Sequence, residues 1–270
     1  MRLSARVDIN ETPYLLDLSN GTDISLPVRF DGLSFRAFGA APASSEPYEA
    51  GEQALAVERG AGCNCPVFRF SAHLHGTHTE CVGHITRHPY IVQELADGLG
   101  WQTALLVSVS PETITDDRES YQPQLGPDDR LITREALESC VGTARPDALV
   151  IRTLPNDRAK LSRDYGEEAP PFFSNEAMAY ICELGVKSLL VDLPSVDRLS
   201  DEGMLSNHHI FWGMEQGSHQ VSEPPSKTIT ELIYVPDELK DGLYALNLSV
   251  SNILSDAAPS RPILYRLEPA

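Results

Sequence analysis

Between His73 and His84 the chain reads His-Leu-His-Gly-Thr-His-Thr-Glu-Cys-Val-Gly-His, so that four of its eight histidines and one carboxylate fall within a short segment. Neutral imidazole and carboxylate are the groups that hold Zn²⁺ or a similar divalent ion, at ligand distances of about 2 Å. The segment therefore predicts a metal centre. Gly76 is expected to let the backbone turn tightly between ligands. A second pair, His208 and His209, precedes Ile-Phe-Trp-Gly, and Glu231 interrupts the β-branched, apolar run from Thr228 to Val235. A carboxylate there either faces solvent on an edge strand or meets a cation in the interior, and a metal held by the histidines would be that cation.

The elements that must carry these groups alternate in type. Cys65 to Ala72 reads as a strand running into the histidine segment, and Thr103 to Val109 as a buried strand. Thr133 caps a helix start. Further on, Asp147 to Thr153 and Ser188 to Leu193 are apolar runs on either side of a helix capped by Ser174 and stopped by Gly185. Such a unit predicts parallel strands with functional groups gathered where they end, and Asp192 to Asp197 lies at one such end, as a support for the site or as a plain turn. Gly242 to Val250 completes the sheet and is followed by an expected loop at Asp256 to Arg261, whose arginine covers the site or only the surface. The first sixty residues read as irregular, apart from a short strand at Tyr14 to Leu18. The chain is expected to form one domain over residues 1–270.

Composition excludes more than it selects. A length of 270 residues suffices for a sizeable core, and 41% hydrophobic with 22% charged residues is ordinary for a globular protein. The net charge of −18 would repel nucleic acid. No membrane span and no signal-peptide core stand in the sequence, so a cytoplasmic location is the default expectation. The cysteines Cys63, Cys65, Cys81, Cys140 and Cys182 form no paired CxxC set. Packing is expected for Cys63, Cys65 and Cys81. Neither a GxSxG elbow nor a GxxxxGK[ST] or GxGxxG loop is present, which disfavours a serine hydrolase or a nucleotide-dependent enzyme.

In its order of motifs the chain resembles the metal-dependent cyclase family that contains bacterial kynurenine formamidase. The resemblance rests on HxxGTHxExxxH from His73 to His84, on Leu149 to Thr153, on Val191 to Asp197, on His208 to Trp212 and on Glu231-Leu232. It implies an α/β fold of the swivelling β/α/β type, with a mixed, partly barrel-like sheet and flanking helices. It also implies one or two divalent ions, zinc ahead of manganese, and a homodimer or homotetramer. The implied activity is hydrolysis of an amide, formamide or cyclic carbonyl compound, a small-molecule substrate, in the manner of an arylformamidase. A polyketide-type cyclase or dehydratase on the same scaffold, or a metal-binding protein without catalysis, are the alternatives.

Departures from the family pattern bear on individual ligands. The family writes HxGTHxDxPxH, whereas Leu74 stands at the first histidine's place, Glu80 at the aspartate's and Val82 at the proline's. His78, Glu80 and His84 carry over directly. His73 is the displaced first ligand, reaching the site through a one-residue strand bulge, with His75 as the fallback. His208, ahead of His209, and Glu231 complete the metal set. Glu80, His84 and His209 are the expected catalytic groups, with His84 or His209 passing a proton to the leaving group beside a metal-activated water. Phe68, Phe70, Phe211 and Trp212 would suit a planar substrate, or simply the core.

Overall fold

The computed structural model describes residues 3–9, 11–95, 99–113, 120–166 and 168–270. A one-turn helix, α1 (Ala72–His75), leads into the short strand β1 (His78–Glu80). Then follow β2 (Gly100–Val109), α2 (Arg134–Val141), β3 (Ala148–Thr153), α3 (Asn175–Glu183) and β4 (Ser188–Val191). The chain continues through α4 (Ser206–Trp212), β5 (Thr228–Glu231), β6 (Gly242–Val250) and β7 (Ala257–Arg266). The seven strands close in the order β6-β2-β3-β4-β5-β1-β7, with β7 pairing back onto β6. The fold is thus mixed α/β around a closed barrel.

Its two halves follow from their connections. β2, β3, β4 and β5 are mutually parallel, which requires crossovers long enough to hold helices, and α2, α3 and α4 lie in those crossovers. The remaining ladders, β5 with β1, β1 with β7, β7 with β6 and β6 with β2, are antiparallel. β3 and β4 are buried along their whole length, which is why they read as continuous apolar runs rather than alternating ones. One set of their side chains, including Leu149, Ile151 and Leu189, packs with Leu105 and Val107 of β2 against Met178 and Ile181 of α3 and Phe211 of α4. The opposite set, including Val150 and Leu190, packs with Leu106, Leu246 and Leu264 across the barrel. Thr133 and Ser174 accept from the backbone N–H groups of Ala136 and Ala177, the caps that start α2 and α3.

The sequence reading errs at the two ends of the chain. Asp256 is followed directly by β7, not by a loop. Pro259 and Pro262 disguise this strand, since proline gives the ladder no N–H and argues against a strand inside a sheet. The N-terminal region is more ordered than expected, with a hairpin of Ser4–Ile9 and Thr12–Asp17, and with Ser44–Pro47 paired to Pro66–Arg69. Cys63 and Cys65 are exposed rather than packed, while Cys81 is buried and its thiol is pushed up to about 12 by that burial. Among the described residues no helix is long and apolar enough to cross a membrane.

A buried ion pair fixes the ends of β3 and β4. Lys160 Nζ donates to Asp192 Oδ2 at 2.8 Å and to Thr153 O at 2.6 Å, and Asp192 accepts in turn from Thr153 N and Oγ1 at 2.9 Å. Asp192 begins the turn that runs on to Asp197. Lys160→Ala leaves that carboxylate buried without its cation, and we expect a loss of about 3–5 kcal/mol of unfolding free energy. Denaturant titration checks this, and Asp192→Asn added to the same variant should recover part of the loss.

Candidate metal centre

β1 supplies the first two groups. In a strand, alternate side chains share a face, so His78 and Glu80 point one way and Thr79 the other, where its Oγ1 lies 2.8 Å from Thr230 Oγ1. The antiparallel register sets Glu231 of β5 directly opposite His78, which brings its carboxylate onto the same face. On the other flank Ala257 of β7 pairs with Glu80, and Asp256 immediately precedes it. Glu231 is buried rather than facing solvent. Its Oε1 accepts from Val196 N at 3.0 Å, and its Oε2 lies 3.5 Å from His78 Nε2.

His208 arrives from the helix layer. Leu205, which precedes α4, has a left-handed backbone (φ 47°) and no capping side chain. Asp197 caps the helix from a distance, accepting from Asn207 N at 2.8 Å and His208 N at 3.2 Å. The same carboxylate lies 2.5 Å from His208 Nδ1, and Tyr121 Oη donates to its other oxygen at 2.8 Å. With Nδ1 held by Asp197, His208 turns its Nε2 toward the cluster, 3.1 Å from Glu80 Oε1. His78 is fixed similarly, since its Nδ1 lies 3.1 Å from Gly76 O and its Nε2 is left facing the cluster.

His73 reaches the cluster from α1 and not through a strand bulge. The helical turn sends His73 and His75 in different directions. His73 Nδ1 lies 3.1 Å from Glu80 Oε2 and its Nε2 lies 2.9 Å from Asp256 Oδ2. His75, the fallback, turns away, its Nδ1 accepting from Ser71 N and its Nε2 lying 2.9 Å from Ala41 O. Gly76 does not make the tight turn expected of it, since its backbone is extended at φ 176°. Glycine is needed there for space, because a Cβ would come within 3.0 Å of Leu26 O. His84, on the turn after β1, lies 3.9 Å from Glu80 Oε2 and 3.6 Å from Asp256 Oδ2 through its Nδ1.

These groups fit a divalent ion. Three combinations have ligand atoms within 4.8 Å of one another: His73, His78 and Glu80; Glu80, His84 and His208; and His73, His84 and Asp256. His78 Nε2 and Glu80 Oε2 are buried and make no hydrogen bond, and two converging acceptor atoms without a proton between them are what a cation satisfies. Glu80 belongs to both of the first two combinations, its Oε2 near His73 and His84 and its Oε1 near His208.

One expected participant lies elsewhere, and Arg261 takes the surface position of its two alternatives. His209 faces away, its Nδ1 2.8 Å from Leu205 O and its Nε2 3.1 Å from Ser218 O, and it does not line the cavity beside the cluster. Arg261 is exposed and donates to Asp23. Two contributors escaped the sequence reading wholly or in part. Asp256 was assigned to a loop without a role, and Asp197, expected only as a support, orients His208. A cavity of about 210 Å³ opens onto His73, His84, His208 and Glu231, with apolar walls that include Phe38, Leu74 and Leu199 and with Arg198 at one side. Phe68 and Phe70 are exposed and pack around Phe30, and Phe211 and Trp212 belong to the core.

Electrostatics in the metal-free cluster follow from these pairings. Burial disfavours the Glu80 charge, yet His84 and His208 facing it hold its pKa well below the usual range. Burial likewise opposes a charge on His208, but Asp197 and Glu80 raise it. For His73 burial is outweighed by the close contacts with Asp256 and then Glu80 and by the charges of both, which raise it to about 10.

Residues 16–198 match the model of the family described as "Putative cyclase", and the chain belongs to that family. No protein of curated function matches it in sequence. Among solved structures it is similar to a "predicted metal-dependent hydrolase from Bacillus stearothermophilus", with 14% identity, a TM-score of 0.57, and 91% of this chain and 98% of that one covered. It is similar also to a "potential metal-dependent hydrolase with cyclase activity", at 15% identity and a TM-score of 0.61 over 93% and 99% of the two chains. Isatin hydrolase A from Labrenzia aggregata, bound to benzyl benzoate, gives 16% identity and a TM-score of 0.60 over 92% and 94%. At these identities the likeness is one of fold.

The His73 pairing has a measurable consequence. Its pKa rises on folding from 6.5 to about 10, so the interaction stabilises the metal-free fold fully below pH 6.5 and is lost as pH rises through about 10. Thermal unfolding of metal-depleted protein is expected to show this decline, and His73→Gln to flatten it. Since ligation requires the neutral ring, metal uptake near pH 7 should release protons, read as an enthalpy that varies with the ionisation heat of the buffer.

Proposed function

We propose that this protein is a metal-dependent hydrolase that cleaves a C–N or ester bond at the carbonyl group of a small cyclic or aryl amide, formamide or lactone. The observation that supports this reading is the convergence of His73, His78 and Glu80, with His78 Nε2 and Glu80 Oε2 buried and without a hydrogen bond, next to a cavity that His73, His84, His208 and Glu231 line. Structural neighbours that carry hydrolase names on the same fold add to it, isatin hydrolase among them. His73, His78, Glu80, His84, His208 and Glu231 would hold one or two divalent ions, with zinc ahead of manganese for a set of imidazoles and carboxylates. A divalent ion supplies an acidified water and polarises a carbonyl oxygen.

The chain's own residues do the rest. Glu80, touching both ligand groups, keeps them in register. His84 is, with His73, one of two partly exposed histidines at the cavity, and its ring stacks on His73 at 4.2 Å between centroids. Nothing holds it as tightly as Asp197 holds His208, so it is the group to carry a proton to the leaving nitrogen or oxygen. His209, bonded to carbonyls elsewhere, does not share this task. The apolar walls at Phe38, Leu74 and Leu199 exclude water from a compact substrate, and Arg198 on the other side is paired with Asp129 at 3.0 Å.

The test combines metal analysis and turnover. Purified protein should contain one or two equivalents of metal that a chelator removes, and hydrolysis of formyl-anilides, cyclic amides or lactones should stop and return with the ion. His78→Ala is expected to lose both metal and turnover. Glu80→Gln should remain folded by circular dichroism and lose activity at least 100-fold. A wild-type protein that takes up no zinc or manganese would sink the reading.

A further inference from the structure

The one-place shift of the first histidine raises a physical problem. An imidazole on a helical turn one residue early does not meet the strand ligands unless something holds its ring and chooses which nitrogen faces them. Asp256 makes that contact. Its Oδ2 lies 2.9 Å from His73 Nε2, in hydrogen-bonding alignment, while His73 Nδ1 lies 3.1 Å from Glu80 Oε2 without such a bond. We propose that Asp256 is the positioning residue of the metal centre: by accepting Nε2–H of His73 it fixes the tautomer in which the Nδ1 lone pair is aimed at the position faced by Glu80 and His78. This rests on the metal-centre reading and goes beyond it, because Asp256 stands outside the expected ligand set.

Asp256 is itself held on several sides. Ser255 Oγ donates to its Oδ1 at 2.8 Å, so both carboxylate oxygens are engaged. Its backbone carbonyl accepts from Cys81 N at 3.0 Å, which ties it to the residue after Glu80, and β7 begins at the next position, opposite Glu80. Gly83 leaves the room: a Cβ there would sit 3.0 Å from Asp256 Cβ and 2.3 Å from Tyr90 O. The carboxylate thus belongs to the same rigid ladder as the strand ligands, while the ring it orients comes from a separate helical turn. A carboxylate that fixes a ligating histidine in this way typically accounts for 10- to 100-fold in metal affinity. His84 Nδ1, at 3.6 Å, is near Asp256 but beyond a hydrogen bond.

Metal-depleted full-length protein titrated with Zn²⁺ against a chromophoric chelator tests this, using wild type, Asp256→Asn, His73→Ala and the double variant. Asp256→Asn is expected to bind as many ions as wild type, one of them about 10- to 100-fold more weakly. The double variant should be no weaker than His73→Ala, because Asp256 acts through that ring. In zinc-loaded wild type, long-range ¹H–¹⁵N correlation should show His73 protonated at Nε2, a readout that needs no variant. Unchanged zinc affinity in Asp256→Asn, additive losses in the double variant, or an Nδ1–H tautomer would each overturn the proposal. Loss of a whole equivalent in Asp256→Asn, with the remaining ion held as in wild type, would overturn it as well by making Asp256 a ligand. Wild type that binds no zinc would end both this inference and the function proposed above, whereas wild type that binds normally alongside an unaffected Asp256→Asn ends this inference alone.

Discussion

A carboxylate with no exposure to solvent must be compensated, and Glu80 is such a carboxylate. The cost of burying an unpaired charge is several kcal/mol even after relaxation. Around it stand His73, His84 and His208, and beyond them three further carboxylates, Glu231, Asp256 and Asp197. In the metal-free chain the balance is kept by His73 and His208, which their carboxylate neighbours draw toward the charged form. A divalent cation held by these residues would balance it differently, by supplying the positive charge in place of protons. The architecture serves to keep that charge buried and those groups convergent.

The barrel accomplishes this by register. β1 contributes only three residues, too few to be stable by itself. It is clamped between β5 and β7, so the two flanking ladders decide where its side chains point. A slip of one residue would turn His78 and Glu80 toward the barrel interior and present Thr79 to the cavity. Thr77 guards against such a slip. Its hydroxyl donates to Leu232 O and accepts from Leu26 N at 2.7 Å, joining the start of β1 to the residue after Glu231. Leu232 adopts a left-handed backbone at φ 58°, an unfavourable state for a branched side chain that persists because its surroundings determine it. The ligand face is therefore specified from both strands.

Much of this was legible in the residues. The parallel half of the barrel announced itself in the apolar runs at β3 and β4 and in the caps at Thr133 and Ser174, because burial on two faces and helix capping leave local marks. His73 to His84 declared its chemistry by composition. What stayed hidden depended on tertiary direction. Asp256 stands in Ser-Asp-Ala-Ala-Pro, a turn-like string, and the prolines of β7 masked the strand that carries it to Glu80. His208 and His209 are adjacent, and the sequence ranks them only by resemblance. The helix separates them, sending one ring to Asp197 and Glu80 and the other to the carbonyl groups of Leu205 and Ser218.

Leu74 stands where the motif that the segment resembles has its first histidine, and His73 one place earlier brings the imidazole instead. A helix rotates each successive residue by about 100°, so moving a histidine one place along a helical turn would send it off target if the ring kept the same nitrogen and the same direction. Imidazole has two nitrogens on different edges of the ring, and the loss is recovered when a fixed acceptor engages one and frees the other. Leu74, at the place where the resembled motif has its first histidine, thus forms cavity wall, while His73 next to it keeps an imidazole beside Glu80. The longer reach of Glu80 belongs to the same adjustment, since its two oxygens span from His73 on one side to His208 on the other, and β1 need not move to meet a ligand that arrives from a different element.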